Sequence, residues 1–237
     1  MTTKLSGKKI LFDGDSICYG GKVQGNWATR IAERFSAVCP CYAAGGGTIT
    51  ENPPRFKAGG ERHSVSASLE RLHAEHPDAD YIILEGGTND ADLLGYASEG
   101  EESRLGSFTD FDFSGSYDRD TFCGALESIF YRATQLWPQK KIGYIVAQKM
   151  GRGERAFKNR RYYFDAAVAI CRKWGIPYID LWETSYLNPN LPWMYDPTRT
   201  PEENHAENRG YYADGQHLTA RGYDVTAELI ATWLELL

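Results

Sequence analysis

Short apolar runs separated by longer amphipathic stretches set the rhythm of this chain. Five runs, residues 9–12, 38–42, 81–84, 142–147 and 177–181, are hydrophobic almost throughout. Runs this short, without strict alternation, suit strands buried on both faces of a parallel sheet. Between them the period lengthens to that of a helix. Residues 27–35 and 65–76 carry helical spacing, and over 121–137 Phe122, Leu126, Ile129, Ala133 and Leu136 fall on one stripe that Pro138 ends. Tyr163, Ala167, Ile170 and Trp174 repeat the stripe ahead of Gly175, a helix stop, and Tyr223, Ala227, Ile230 and Leu234 do so over 220–237. Strands alternating with helices predict an α/β fold, a three-layer α/β/α sandwich around a central five-stranded parallel sheet with right-handed crossovers. Three irregular stretches, 48–64, 91–120 and 182–214, exceed ordinary connection lengths. Long ordered loops tend to be functional, so these are expected to wall a site.

Composition narrows the class. A chain of 237 residues, 42% hydrophobic and 24% charged, has material for one soluble domain with a sizeable core, and residues 1–237 read as a single catalytic domain. A net charge of −6 and a pI near 5.4 argue against a nucleic-acid partner. The local exception is the basic group Arg152, Arg155, Lys158, Arg160 and Arg161, which reads more readily as a solvated helix start than as a site for an anionic substrate. No stretch approaches the ~20 apolar residues of a membrane helix, and the first apolar run is far too short for a signal peptide. A cytoplasmic protein with no membrane partner is therefore expected. Cys18, Cys39, Cys41, Cys123 and Cys171 form no CxxC pair, which fits reduced, mostly buried thiols.

Candidate chemistry lies where the strands end, the place where ligands sit in such sheets. Ile10-Leu11-Phe12-Asp13 breaks at Gly14 and delivers Asp15 and Ser16. The run 81–84 leads into Gly86-Gly87-Thr88-Asn89-Asp90, and Asp214 stands three residues before His217. A serine hydroxyl is a weak nucleophile until a neighbouring imidazole takes its proton, and that imidazole needs an acceptor on its other nitrogen. Ser16, His217 and Asp214 supply these parts, and no cofactor or metal is required. The tetrahedral intermediate needs hydrogen-bond donors, which the Ser16 N–H, the Asn89 amide and the glycine turn Gly45-Gly46-Gly47 can offer.

These blocks, Gly14-Asp15-Ser16, the turn at Gly46, Gly87-Thr88-Asn89-Asp90 and Asp214-x-x-His217, occur in the order found in the SGNH/GDSL hydrolase family, which the chain resembles over nearly its whole length. Each block alone is weak; together, on a matching strand–helix rhythm, they are specific. The resemblance implies a flavodoxin-like fold and serine esterase chemistry. It further implies Ser16 as nucleophile, His217 as base, Asp214 as its orienter, and an oxyanion hole of Ser16, Gly46 and Asn89. Two departures stand out. Three consecutive glycines leave Gly45 and Gly47 as rival donors. Asp13 is an extra acid that either perturbs the site or bonds backbone near the turn.

Other readings compete. Ser16 alone would suit a helix cap, and Asp214 and Asn89 would suit turns. Asp13 and Asp15, with Asp90, could instead serve a magnesium-dependent phosphatase, which leaves Asp214 and His217 without a role. A non-catalytic sugar-binding module is the third reading. His73 and His76 read as surface histidines rather than metal ligands, and His63 and His205 as loop residues. Trp182, Tyr186, Trp193, Tyr195, Tyr211 and Tyr212 crowd the last long loop, where they either stack on a substrate or pin the loop. The leading expectation is an esterase for a small, acetyl-like acyl group on a small-molecule or carbohydrate alcohol.

Overall fold

In the computed structural model, which describes residues 3–21, 25–53, 63–100, 103–151, 153–207 and 209–237, four parallel strands run side by side. They are β1 (Ile10–Asp13), β2 (Tyr81–Glu85), β3 (Lys141–Val146) and β4 (Tyr178–Asp180), in the order β1-β2-β3-β4. Ile10 pairs with Tyr81, Tyr81 with Lys141 and Tyr144 with Tyr178, so the strand ends stay level across the sheet. β1 and β2 are buried throughout, as continuous hydrophobicity predicts, whereas β4 is a half-exposed edge.

The expected fifth strand is reduced to two isolated parallel bridges, Lys9 to Val38 and Phe12 to Cys41. Residues 38–42 do run along β1: Val38 N–H donates to Lys8, Ile10 N–H to Val38, Phe12 N–H to Pro40 and Tyr42 N–H to Phe12, all at 2.8–2.9 Å. The missing rung is the one Pro40 would donate. Proline has no N–H, so the ladder breaks there and the segment survives only as an edge.

Five helices fall close to where their stripes place them, α2 (Trp27–Phe35), α3 (Val65–Glu75), α5 (Phe122–Leu136), α6 (Glu154–Trp174) and α9 (Ala220–Leu236); the short helices α1 (Ser16–Tyr19), α4 (Thr88–Leu93), α7 (Leu181–Thr184) and α8 (Pro201–Glu207) follow no such stripe, and α8 lies in a stretch expected to be irregular. Their starts are capped by side chains of the expected type, Asn26 for α2, Ser64 for α3, Thr121 for α5 and Thr219 for α9. Gly175 ends α6 in the left-handed conformation, at φ 64°.

Neighbouring residues of β3 show that helices cover both faces of the sheet. Gly143 lies against Trp233 of α9, so closely that a Cβ would fall 2.6 Å from the indole. Tyr144, one residue on, meets Phe130 of α5 edge to face. Successive strand residues point to opposite faces. Helix α2 therefore shares a layer with α9, its partner in packing, and α3 and α6 gather around α5 on the other side. Among the described residues, no helix is long and apolar enough to cross a membrane. The consequence for function is that the carboxyl ends of β1, β2 and β3 open onto one edge.

Candidate active site

Ser16 follows β1 through a tight turn and opens α1. Asp15 caps this short helix, its Oδ1 accepting the Ile17 N–H at 2.7 Å. Opposite Ser16, the loop before α9 folds back on itself: Asp214 Oδ1 accepts the backbone N–H groups of Gln216 and His217 at 2.9 and 2.8 Å, with Gly215 left-handed at φ 80°. That turn places the imidazole between two partners. Its Nδ1 lies 2.9 Å from Asp214 Oδ2 and its Nε2 lies 2.9 Å from Ser16 Oγ.

The proton positions follow from the chemistry of the acceptors. Burial raises the Asp214 carboxyl, but the side-chain hydrogen bond and charge of His217 and the two backbone donors outweigh it and hold it well below the usual carboxylate range. An ionised carboxylate only accepts, so Nδ1 carries the hydrogen and bare Nε2 faces the serine hydroxyl.

The glycine turn and the end of β2 are tied to each other. Asn89 Nδ2 donates to the Gly47 carbonyl at 2.8 Å, while Asp90 accepts from the Ile49 and Thr50 N–H groups at 2.9 and 3.0 Å and from the Thr50 hydroxyl at 2.9 Å. Gly47 packs so tightly on the Gly14 carbonyl that a Cβ would stand 2.8 Å from it. Its N–H donates to Ala44, closing the turn. Of the three glycines this leaves Gly45 and Gly46 with backbone donors not used by that turn, and Gly46 has the left-handed φ of 74°.

Asp13 bonds to its surroundings rather than facing an incoming ligand. Its Oδ1 accepts from Gly14 N–H at 2.9 Å and meets His63 Nε2 at 2.6 Å, and its Oδ2 accepts the Ser68 hydroxyl at 2.7 Å. Asp13 and Asp15 are both buried. Neither presents an oxygen to a phosphate, which removes the geometric basis of the phosphatase reading.

A cavity of about 350 Å³ opens beside Ser16 and His217, walled by Tyr19, Gly20, Gly45, Pro201 and His205. A second, of about 780 Å³, lies on the far side of Asp214 and Pro201 and is lined by Tyr195, Asn190, Arg199 and several prolines. His205 thus belongs to the site wall, on α8. His63 belongs to the Asp13 network, and His73 and His76 pack against Trp137 and Tyr42. The aromatic cluster divides: Trp182 and Tyr212 are buried and pin the loop, while Tyr186 and Trp193 are exposed.

The basic group is not a solvated face throughout. Arg155, Lys158 and Arg161 pair with Glu99, Glu154 and Asp165 near the surface, and Arg152 lies outside the described residues. Arg160 is buried and donates to Asp92 at 2.8 Å and to Gln216 Oε1 at 3.0 Å, within the histidine loop. Gln148, two residues beyond β3, donates to the Gln216 carbonyl at 3.1 Å. The sequence held one signal for this bracing: Arg160 shares the apolar stripe of Tyr163, Ala167 and Ile170, where a charge needs an internal partner.

Comparison with known proteins gives the family and the fold. The family model of the GDSL-like lipase/acylhydrolase family matches residues 12–225, and the chain belongs to that family. It is accordingly an ester hydrolase. No curated protein sequence matches it. Solved structures with the same fold include a protein from Lactobacillus plantarum (21% identical, TM-score 0.70, 97% of each chain covered). A carbohydrate acetylesterase from Sinorhizobium meliloti is 14% identical, with TM-score 0.62 and 96% of this chain and 98% of that one covered. An inhibitor-bound aryl esterase of M. smegmatis is 15% identical, with TM-score 0.63 and 98% and 100% covered.

Proposed function

We propose that this protein, a single catalytic domain, cleaves small acyl esters through a covalent acyl-enzyme formed on Ser16. The observation that carries the reading is the unbroken chain from Ser16 Oγ to His217 Nε2 and from His217 Nδ1 to Asp214, each link 2.9 Å long. Ser16 Oγ attacks the acyl carbon while Nε2 takes its proton, and Asp214 steadies the imidazolium. The oxyanion receives the Ser16 N–H, which has no intrahelical acceptor at the first position of a helix. The Gly46 N–H and the second hydrogen of the Asn89 amide complete the set. Collapse breaks the ester bond, His217 returns the proton to the departing alcohol, and water repeats the sequence to release the acid.

The two cavities suggest how the substrate divides. The smaller one, which holds Ser16 and His217, takes the ester itself, and its volume of about 350 Å³ must be shared by the acyl group and the start of the alcohol, which favours a short acyl group such as acetyl. The larger one meets the first only at Asp214 and Pro201, and its Tyr195, Asn190 and Arg199 suit the distal part of a carbohydrate alcohol, which stacks one face there and bonds at the rim. Kinetics on a series of p-nitrophenyl esters and on acetylated oligosaccharides tests this. We expect kcat/KM to fall from acetyl to octanoyl, and acetylated sugars to outpace ethyl acetate. A preference for long acyl chains contradicts the assignment.

A further inference from the structure

Directly beneath the Ser16 turn lie two carboxyl groups that the reaction does not use. Glu85 closes β2 and Asp15 precedes Ser16; both side chains are buried. Glu85 Oε2 accepts the Asp15 N–H at 3.1 Å and sits so close to Gly14 that a Cβ there would approach it to 2.7 Å. Asp15 Oδ2 and Glu85 Oε1 are each buried without a hydrogen-bond partner. Two ionised carboxylates here would set like charges side by side, away from water, with those oxygens unsatisfied. One proton between them supplies the donor and removes one of two buried charges.

We propose that Glu85 and Asp15 share one proton at neutral pH, and that this acid–carboxylate pair positions the Ser16 turn for catalysis. The proposal rests on Ser16 being the nucleophile, and it makes Glu85 a positioning residue. The surroundings favour a retained proton. Around the pair stand Asp13 from β1, the Cys18 thiol from α1, Asp90 from α4, the Tyr144 phenol from β3, the Tyr223 phenol from α9 and His217 from the loop before it. Of these groups only His217 can carry positive charge. Burial, with the Asp15 charge, pushes the Glu85 carboxyl well above the usual carboxylate range; burial also pushes Asp15 up, to about 6. Across neutral pH the pair therefore holds one proton and one negative charge. Removing that proton sets two carboxylates against each other immediately below Gly14, and the repulsion falls on the turn that aims Ser16. Activity is then lost on the alkaline side for a reason separate from His217.

The test combines an infrared spectrum with pH profiles of kcat for wild type, Glu85→Gln and Glu85→Ala. A wild-type carboxylic-acid carbonyl stretch at neutral pH, absent from Glu85→Gln and fading with rising pH in step with activity, is the expected result. Glu85→Ala loses about 10²-fold in kcat through misplacement of the serine. Glu85→Gln, whose amide still donates to Asp15, restores most of that loss and removes the alkaline decline. No such band in the wild type, or a Glu85→Gln enzyme as slow as Glu85→Ala, overturns the proposal. The spectrum also separates this idea from the reading it rests on. An active Ser16→Ala enzyme that keeps the Glu85 band leaves the shared proton standing and rejects Ser16 as nucleophile.

Discussion

The Asn89 amide donates to the Gly47 carbonyl at 2.8 Å, and Gly47 in turn presses on the Gly14 carbonyl, so these residues transmit the position of β2 to the serine turn. Truncating Asn89 to alanine removes the proposed oxyanion donor and is expected to lower kcat by about 10²–10³-fold with little change in KM. Wild-type kcat in that variant would limit Asn89 to a turn role. Gly47→Ala has no donor to lose, yet its Cβ would meet backbone oxygens of Gly14 and Ala44 at 2.8 and 3.1 Å. Backbone must move, and a loss of about 10²-fold is expected from misalignment alone. At this scale the sequence was informative where chemistry dictates residue type. That Ser16, Asp214 and His217 meet was legible because acyl transfer needs a hydroxyl, an imidazole and a carboxylate. Glu85 was not, since its role depends on burial that spacing alone does not reveal, and Arg160 showed only as a charge on the apolar stripe of α6.

Helices α5 and α6 are joined by an ion pair that no stripe announces. Lys173 and Glu127 are both almost fully buried in contact with each other, and Lys173 also donates to the Asp112 carbonyl at 2.7 Å. Removing one partner strands the other charge away from water. Lys173→Met should therefore destabilise the fold by about 3–5 kcal/mol, whereas the double variant Lys173→Met/Glu127→Leu should recover most of that loss. Equal destabilisation by the single and double variants in urea titrations would refute this account. Element positions themselves were largely readable: the stripe from Phe122 to Leu136 is α5, and that ending at Trp174 closes α6. The failure at residues 38–42 has a single-atom cause, since hydrophobicity registers the strand and ignores the donor Pro40 lacks. The start of α6, nine residues before Tyr163, carries charge rather than an apolar stripe, and it was legible only through the basic group that reads as a helix start.

For the molecule as a whole, the site carboxyls pull stability in opposite directions with pH. Asp214 is held below its ordinary range, so its contribution is present above about pH 4 and is lost as pH falls through its lowered value. Asp15 and Glu85 are raised, so theirs is complete below about pH 4 and is lost as pH rises, through about 6 for Asp15 and higher for Glu85. Melting temperatures of wild type should fall between pH 6 and 9 more steeply than those of Glu85→Gln; parallel curves would contradict the assignment. The central claim is that a serine activated by His217 carries the acyl group, and intact-mass analysis after reaction with a fluorophosphonate tests it most directly. The account predicts a single adduct on the whole chain, mapped to Ser16 and suppressed in both Ser16→Ala and His217→Ala. An adduct on another residue, or an unmodified chain that still hydrolyses esters, would contradict it.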